Sequence, residues 1–270
     1  MTPVQIVGAL NVTPDSFHDG GRYVDVDLAV RRAMEMVNDG ADIVEIGGES
    51  TGPASPPITQ EEELSRVIPV LRAVRKGNAS VRLGIDTYKS AVARQAIEAG
   101  ASIINDVTAG REDPEIFKVA SETGAHLVLM YAKDATPRTT VEDLQYDDVI
   151  ATVKNFLRLR RDAAVTAGVP AEHIILDPGM GHFVSSDARY SLEIIAQLEE
   201  FLELGHPLFL SPSRKSFLAG PQNLPTKERL PGTIAASAIA VFNGASFIRT
   251  HDVLEIRRAC DIAQTMRDSA

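Results

Sequence analysis

Short apolar runs alternate with longer runs of helical period along the whole sequence, and this alternation limits the possible folds more than any other feature. A predicted helix follows each predicted strand, from about residues 27, 59, 90, 113, 147, 190, 232 and 253. The predicted strands are QIVGAL (5–10), ADIVEIGG (41–48), VRLGIDT (81–87), SIINDVT (102–108), HLVLMYA (126–132), IILDPGMG (174–181), PLFLSPS (207–213) and SFIRTHD (246–252).

Eight strand–helix units are the number that a (β/α)8 barrel requires. The length of 270 residues also suits such a barrel. A doubly wound open sheet is the competing α/β fold, but a glycine-rich dinucleotide fingerprint would be expected after its first strand. The segment GALNVTP (8–14) is not that fingerprint. We therefore predict an α/β fold of the TIM-barrel type, forming a single domain over residues 1–270.

Charge and composition limit the possible partners and the cellular location. The net charge of −10 argues against general binding to nucleic acid or to an anionic membrane, because both would repel such a surface. The single cysteine, Cys260, lies in the apolar pattern of the last predicted helix and is expected to be a small core residue. The sequence also lacks an apolar run of the ~20 residues that a membrane span needs, and its start shows no signal-peptide pattern. We expect a cytoplasmic protein that binds neither nucleic acid nor membrane.

Polar residues collect at the predicted strand ends, where a barrel carries its active site. Each group follows a run of apolar residues. The groups are Asn11, Glu49-Ser50-Thr51, Asp86, Asn105-Asp106, Met130-Tyr131, Asp177, Ser213-Arg214-Lys215-Ser216, and Arg249 with His251. Because these groups come from nearly every strand, we expect them to surround one mouth.

The chemistry of this set divides into two halves. Asp86, Asn105 and Asp177 offer acceptors and an amide, which suit the N–H edge of a flat heterocycle. Cationic and imidazole groups come from the last two strands, where barrels often bind phosphate: Arg214, Lys215, Arg249 and His251. The set therefore favours a polar ring attached to a phosphate or diphosphate.

Each of these residues also has a simpler explanation. Asp86 or Asp177 alone could cap the next helix, and Arg214 could pair with an acid. His251 could be a loop histidine with its hydrogen bonds satisfied. The convergence of the whole set at strand ends carries the prediction of a site.

Six ordered blocks at strand ends closely resemble the dihydropteroate synthase family over essentially the whole sequence. They are GALNVTPDSFHDGG, GADIVEIGGEST, IDTYKSAVARQAIEAGASIINDV, IILDPGMG, SRKSF and GTIAASAIAVFNGASFIRTHDV. The resemblance implies condensation of a dihydropterin methyl diphosphate with p-aminobenzoate to give dihydropteroate and diphosphate. It also implies Mg2+ as a cofactor and a homodimer formed through the late helices.

The resemblance further implies roles for individual residues. Lys215, Asp177 and Asp19 of the first loop would be catalytic, with Asp19 stabilising positive charge. The pterin pocket would comprise Asp86, Asn105, Asp177, Lys215 and Met130. The diphosphate and Mg2+ site would comprise Asn11, as the metal ligand, with Arg249, His251 and Thr51. Ser216 and Pro53 would contact p-aminobenzoate.

Three loops depart from the family pattern. Gly52 stands where the family usually has arginine, Tyr131 replaces a histidine, and His182-Phe183-Val184 replaces Phe-Gly-Lys. These changes leave the pterin half intact and alter the half for the second substrate. Three alternatives stay open at this point: a pterin-binding homologue without synthase activity, a pterin-dependent methyltransfer domain, and an aldolase that forms a Schiff base on Lys215.

Overall fold

The structure of the protein is a computed structural model that describes residues 3–13 and 25–269. Its strands form one parallel sheet in the order β6-β5-β4-β3-β2-β1-β8-β7. An isolated parallel bridge between Leu176 and Leu208 joins the two outer strands, so the sheet closes into a barrel. The strands are β1 (Gln5–Asn11), β2 (Ile43–Gly47), β3 (Arg82–Asp86), β4 (Ile103–Asp106), β5 (His126–Met130), β6 (Ile174–Asp177), β7 (Phe209–Leu210) and β8 (Phe247–Thr250).

An α-helix follows each of these strands, which confirms the predicted barrel. The helices are α1 (Val26–Asn38), α2 (Gln60–Gly77), α3 (Ser90–Glu98), α4 (Glu115–Thr123), α5 (Val149–Thr166), α6 (Ala188–Ala196), α7 (Leu230–Phe242) and α8 (Val253–Asp268). One barrel accounts for all the described residues, whereas the exact domain limits at 1 and 270 stay predictions. None of the helices in the described ranges is long and apolar enough to cross a membrane.

Local sequence signals explain where several helices begin and end. The Thr59 side chain accepts a hydrogen bond from the backbone N–H of Glu62 and so caps the start of α2, close to the predicted start at residue 59. Asp148 caps α5 in the same way. At the end of α4, Gly124 takes the left-handed conformation with φ of 71°, which favours glycine.

Most strands are shorter than predicted, and β7 and α6 are shortened most. β7 contains two residues because Pro207 and Pro212 lack the N–H that a parallel strand donates to its neighbour. α6 ends at Ala196, and a 3-10 segment continues to Leu204. The Asn243 side chain donates to the carbonyls of Ile195 and Ala196, at 2.9 and 3.3 Å, and so occupies acceptors that a continuing α-helix would use.

An apolar layer fills the barrel beneath its mouth. Its side chains come from alternate positions of six strands, with Phe247 packed against them: Val7, Ile43, Ile103, Val128, Ile175 and Phe209. The register places Asn11, Gly47, Asp86 and Asn105 side by side on neighbouring strands, closer to the carboxyl ends than the apolar layer. The apolar layer therefore closes the barrel interior below the polar residues at the strand ends.

Candidate active site

A cavity of about 420 Å³ opens at the carboxyl ends of the strands. Six of the residues that the sequence predicted for the site line it together: Asn11, Thr51, Asp86, Lys215, Arg249 and His251. They come from both ends of the chain and from the middle. The barrel thus brings the predicted acceptors and cations into one space.

A smaller cavity of about 250 Å³ lies beside the first. Pro53 and Ser216, which the sequence assigned to the second substrate, both line it. Gly52 and Lys215 line both cavities, so the two spaces adjoin at these residues. The ammonium group of Lys215 lies 5.1 Å from the centre of the Phe183 ring, on the side of the smaller cavity.

Three predicted residues lie deeper in the barrel and do not line either described cavity. Asn105 and Asp177 are buried polar residues, and Met130 packs in a buried apolar cluster with Phe183. The amide nitrogen of Asn105 donates to Glu45 at 3.0 Å, whereas its Oδ1 atom has no partner among the described residues. Asp19 lies outside the described residues.

Asp177 is fixed by the turn that follows it. Its Oδ1 atom accepts a hydrogen bond of 2.7 Å from the backbone N–H of Gly179. Gly179 has φ of +74°, and a Cβ atom there would lie 2.4 Å from the backbone oxygen of Tyr131. Only glycine fits this close approach without moving the β5 and β6 ends apart.

Glu45 of β2 is a site residue that the sequence reasoning missed. It is 1% exposed, and its carboxylate accepts hydrogen bonds from Arg249 and Asn105. Arg249 also donates to Asp86 at 2.8 Å, so one guanidinium bridges two carboxylates. The sequence does contain a signal for this role of Glu45, because an acid inside an apolar run such as ADIVEIGG is unusual unless it is paired.

Burial controls the protonation of the site. Burial raises the pKa of Asp86 to about 7, although the positive charge of Arg249 opposes this shift. Burial likewise raises the pKa of Asp177 to about 6, although the positive charge of Lys215 opposes the shift. Burial also lowers the pKa of Lys215 to about 8. These groups therefore change charge close to neutral pH, which is typical of functional sites.

His251 is neutral, and its contacts define its tautomer. Burial, followed by the charge of Arg249, lowers the pKa of His251 to about 4. The Asn11 amide nitrogen can only donate, and it lies 3.3 Å from Nε2, so that nitrogen is the acceptor. Nδ1 then carries the proton and donates to the Ser213 hydroxyl at 3.1 Å.

Arg214 does not join the cations of the cavity. Its guanidinium donates to both carboxylate oxygens of Asp252, at 2.8 and 2.6 Å. The simpler explanation, that Arg214 pairs with an acid, is therefore confirmed. Its φ of 54° turns the backbone between Ser213, beside His251, and Lys215, which lines the cavity.

Two oxygen atoms face the space above Gly47. A Cβ atom on Gly47 would lie 3.6 Å from Asn11 Oδ1 and 3.6 Å from Asp86 Oδ2. Glycine therefore leaves a small space beside an amide oxygen and a carboxylate oxygen. Oxygen atoms of these kinds are the ligands that Mg2+ prefers.

Comparison with known proteins identifies the family. The chain matches the family described as "Pterin binding enzyme" over residues 7–251. A dihydropteroate synthase of Clostridium beijerinckii is 42% identical over 255 residues, which cover 94% of this chain and 91% of that protein. This chain belongs to the dihydropteroate synthase family.

Solved members of the dihydropteroate synthase family share its fold. The Xanthomonas albilineans enzyme with 4-aminobenzoic acid has a TM-score of 0.90 and 35% identity, covering 98% of this chain and 93% of that one. The same organism's enzyme in complex with 7,8-dihydropteroate has a TM-score of 0.86 and 34% identity, covering 98% and 94%. The family match spans every described site residue predicted above, from Asn11 to His251.

The raised pKa of Asp177 predicts a stabilising substitution. The folded state binds this proton more tightly than the unfolded state, so the stability that it contributes is complete below pH 3.8 and is lost as the pH rises through about 6. Asp177→Asn should therefore raise the free energy of unfolding at pH 8, by up to about 3 kcal/mol, and change it little at pH 4. Urea unfolding at both pH values measures this.

Asp268→Asn is the matched control, because Asp268 is exposed near the end of α8 and lines neither cavity. It should change stability equally little at the two pH values. If Asp177→Asn destabilised the protein at pH 8 as much as at pH 4, burial of the charged carboxylate would not be the dominant effect.

Proposed function

We propose that the chain catalyses the synthase reaction of its family, joining a dihydropterin methyl diphosphate to p-aminobenzoate with release of diphosphate. The observation that carries the proposal is the adjacency of two cavities with different chemistry. The larger one is lined by the carboxylates of Glu49 and Asp86 and by the cations Lys215 and Arg249, and the smaller one is lined mostly by loop residues and shares Lys215 with it. The relatives that were solved with 4-aminobenzoic acid and with 7,8-dihydropteroate support the same pair of substrates.

The pterin ring would bind between the larger cavity, which Asp86 and Lys215 line, and the deeper residues Asn105, Asp177 and Met130. Asn105 Oδ1 is a buried acceptor with no partner among the described residues, so a ring N–H could satisfy it. Asp177 and Asp86 would accept further ring N–H groups once they are ionised, and Lys215 would donate to the ring. Met130 would supply an apolar surface beside them.

The diphosphate would bind nearer the mouth. Arg249 uses its Nε and one Nη2 hydrogen for Glu45 and Asp86, which leaves other guanidinium N–H groups for phosphate oxygens. The Thr51 hydroxyl lines the same cavity. His251 would donate to the diphosphate after a change of tautomer.

The described residues fit a magnesium ion that enters with the diphosphate. Asn11 Oδ1 would be its protein ligand, with Asp86 Oδ2 close by on the other side of the space above Gly47. Mg2+ commonly keeps several waters and uses one or two protein oxygens plus substrate phosphates. When bound, the ion would neutralise charge on the departing diphosphate.

The chain's own residues account for the rest of the reaction. The bond between the pterin methylene carbon and the diphosphate oxygen breaks, and the bonding electrons leave with the diphosphate. Asp177 and Asp86, with Asp19 from the first loop, would stabilise the electron-poor pterin left behind. The arylamine, held by Ser216 and Pro53, would form the new carbon–nitrogen bond with its lone pair and then lose a proton to water. No protein nucleophile is needed for these steps.

A homologue without synthase activity is the second candidate, and Gly52 favours it. A Cβ atom at this position would meet Ser50 Oγ at 3.6 Å, so the place of the usual arginine side chain is open space beside both cavities. The family match disfavours the Schiff-base aldolase. The cytoplasmic location stays a prediction.

Product analysis tests the proposal directly. Purified protein with Mg2+, dihydropterin methyl diphosphate and p-aminobenzoate should give dihydropteroate and diphosphate in equal amounts, followed separately by chromatography and a coupled diphosphate assay. Lys215→Ala is the matched control and should bind pterin weakly and form neither product. Tight pterin binding by the unaltered protein without either product would establish the inactive homologue instead.

Replacement of Asn11 tests the proposed metal ligand. Asn11→Ala should raise the Mg2+ concentration needed for half-maximal rate by about tenfold, because the proposed protein ligand of the ion is removed. Binding of a pterin without diphosphate should stay within twofold by calorimetry, about 0.4 kcal/mol. Asn155→Ala, on the exposed side of α5, is the control. Identical Mg2+ titrations for Asn11→Ala and the unaltered protein would contradict the assignment.

We also propose that two copies pair through the late helices. Ile239 and Phe242 of α7 are 50% and 44% exposed, and Ile262 and Met266 of α8 are 61% and 58% exposed. Large apolar side chains on neighbouring helices favour an interface with a second copy of the chain.

Sedimentation velocity tests the pairing. The unaltered protein should sediment as a dimer at micromolar concentration, and Ile239→Asp should sediment as a monomer, because a carboxylate at the interface would lose its water. Leu159→Asp, at an exposed position of α5, is the control and should leave the dimer intact. A monomeric unaltered protein would rule the pairing out.

A further inference from the structure

Arg138 reaches from one loop of the barrel mouth to another. It lies in loop 5 (residues 131–148), and its guanidinium contacts loop 2 (residues 48–59). Nε donates to the backbone oxygen of Ser55 at 2.9 Å, and Nη2 donates to the backbone oxygen of Pro56 at 3.2 Å and to the Glu49 carboxylate. One planar cation thus holds the start and the middle of loop 2 together.

The next residue, Thr139, extends this connection to loop 6 (residues 178–187). Its backbone N–H donates to the oxygen of Thr51 at 3.2 Å, and its hydroxyl donates to the oxygen of His182 at 2.7 Å. Thr139 is 3% exposed. Two adjacent residues of loop 5 therefore join the two loops that line the smaller cavity.

Loop 2 has hydrogen bonds of its own at Ser55, whose N–H donates to the oxygen of Gly52 at 3.2 Å and whose hydroxyl lies 2.7 and 2.6 Å from the oxygens of Ser50 and Gly52, and the contacts from loop 5 add to them. Loop 2 also contains Pro53, Pro56 and Pro57, which have no N–H to donate. Ala54 takes a left-handed conformation with φ of 62°, which is unfavourable for a residue with a Cβ atom. Hydrogen bonds from loop 5 offset this cost and select one loop conformation.

We propose that Arg138 is a positioning residue that sets loop 2 for the second substrate. Arg138 is not among the described residues that line either cavity, so it would act through Gly52 and Pro53, which line the smaller one. A fixed loop 2 lowers the entropy lost when p-aminobenzoate binds. The proposal rests on the proposed function in so far as it concerns that substrate.

Loss of Arg138 should leave the fold intact. Glu49 would keep a hydrogen bond of 2.5 Å from Lys89 Nζ and contacts of 3.1 and 3.2 Å from the Tyr88 hydroxyl. Lys89 is also held by Glu63 at 2.6 Å. The buried carboxylate would therefore not become an unpaired charge, which is the usual cause of severe destabilisation.

The test compares Arg138→Ala and Arg138→Lys with the unaltered protein. Arg138→Ala should raise KM for p-aminobenzoate about tenfold, through the lost charge-assisted hydrogen bonds, while kcat and the Kd for the pterin diphosphate stay within about twofold. Hydrogen exchange of the loop 2 amides should be faster by a similar factor. Arg138→Lys should recover part of both effects, since lysine keeps the charge without the planar fork.

Arg94→Ala is the matched control, because Arg94 forms an exposed ion pair with Glu122 at 2.7 Å between α3 and α4. It should change none of these values. Unchanged exchange of loop 2 in Arg138→Ala would overturn the proposal, and so would a fall in kcat with KM unchanged. If the unaltered protein forms no product, the proposed function fails, whereas faster loop 2 exchange in Arg138→Ala would still support the positioning role.

Discussion

The ion pairs of Arg249 with Glu45 and Asp86 are the interaction on which the mouth of the barrel depends. Glu45 is almost completely buried, and a carboxylate at that depth is tolerated because a cation and an amide bind it. Burial alone would lower the pKa of Arg249, but Glu45 and Asp86 offset this and raise it above its ordinary value. The guanidinium therefore stays charged and ties β2, β3 and β8 together at the level where the substrates would bind.

This arrangement leaves the site with an excess of buried acids, which is costly for the fold and useful for binding. Glu45 and Asp86 share Arg249, and Asp177 faces Lys215. The pKa of Asp86 and that of Asp177 are raised, so each carboxylate binds a proton at a higher pH than an exposed aspartate does, and a ligand with N–H donors would favour the ionised forms. Functional sites commonly lower the stability of the folded protein in this way.

The sequence predicted the parts of the site that depend on the order of elements. Eight strand–helix units define which end of each strand reaches the mouth, so the sequence alone predicts that Asn11, Asp86 and Arg249 lie close together there. The shortening of β7 and α6 depended on two prolines and on a side chain about 47 positions away in sequence, Asn243. The end of α6 is a tertiary effect that a local pattern does not contain, whereas the two prolines that limit β7 are visible in the sequence itself.

Side-chain partners were the less predictable part of the site, for a physical reason. The sequence places Glu45 within a buried strand but does not show its partner. Alternate residues of a barrel strand point inward, and a buried carboxylate is stable there only when it is paired with a cation. Arg214 and Arg249 stand in similar strand-end positions, yet one pairs with Asp252 and the other lines the cavity. The direction of a long side chain depends on its backbone conformation and on partners from other strands, which the sequence does not place.

The loops around the smaller cavity show where members of this fold can differ without loss of the barrel. The departures at Gly52, Tyr131 and His182-Phe183-Val184 lie in loops 2, 5 and 6, which contact one another through Arg138 and Thr139. The deep polar set of Glu45, Asn105 and Asp177 belongs to the strands, where a change alters the hydrogen bonds or the charge balance of the buried site. Because the loops are joined mainly through backbone oxygens, which every residue type supplies, their side chains can change while their positions are kept. On the proposed assignment, selectivity for the second substrate would then diverge while the proposed pterin pocket stays fixed.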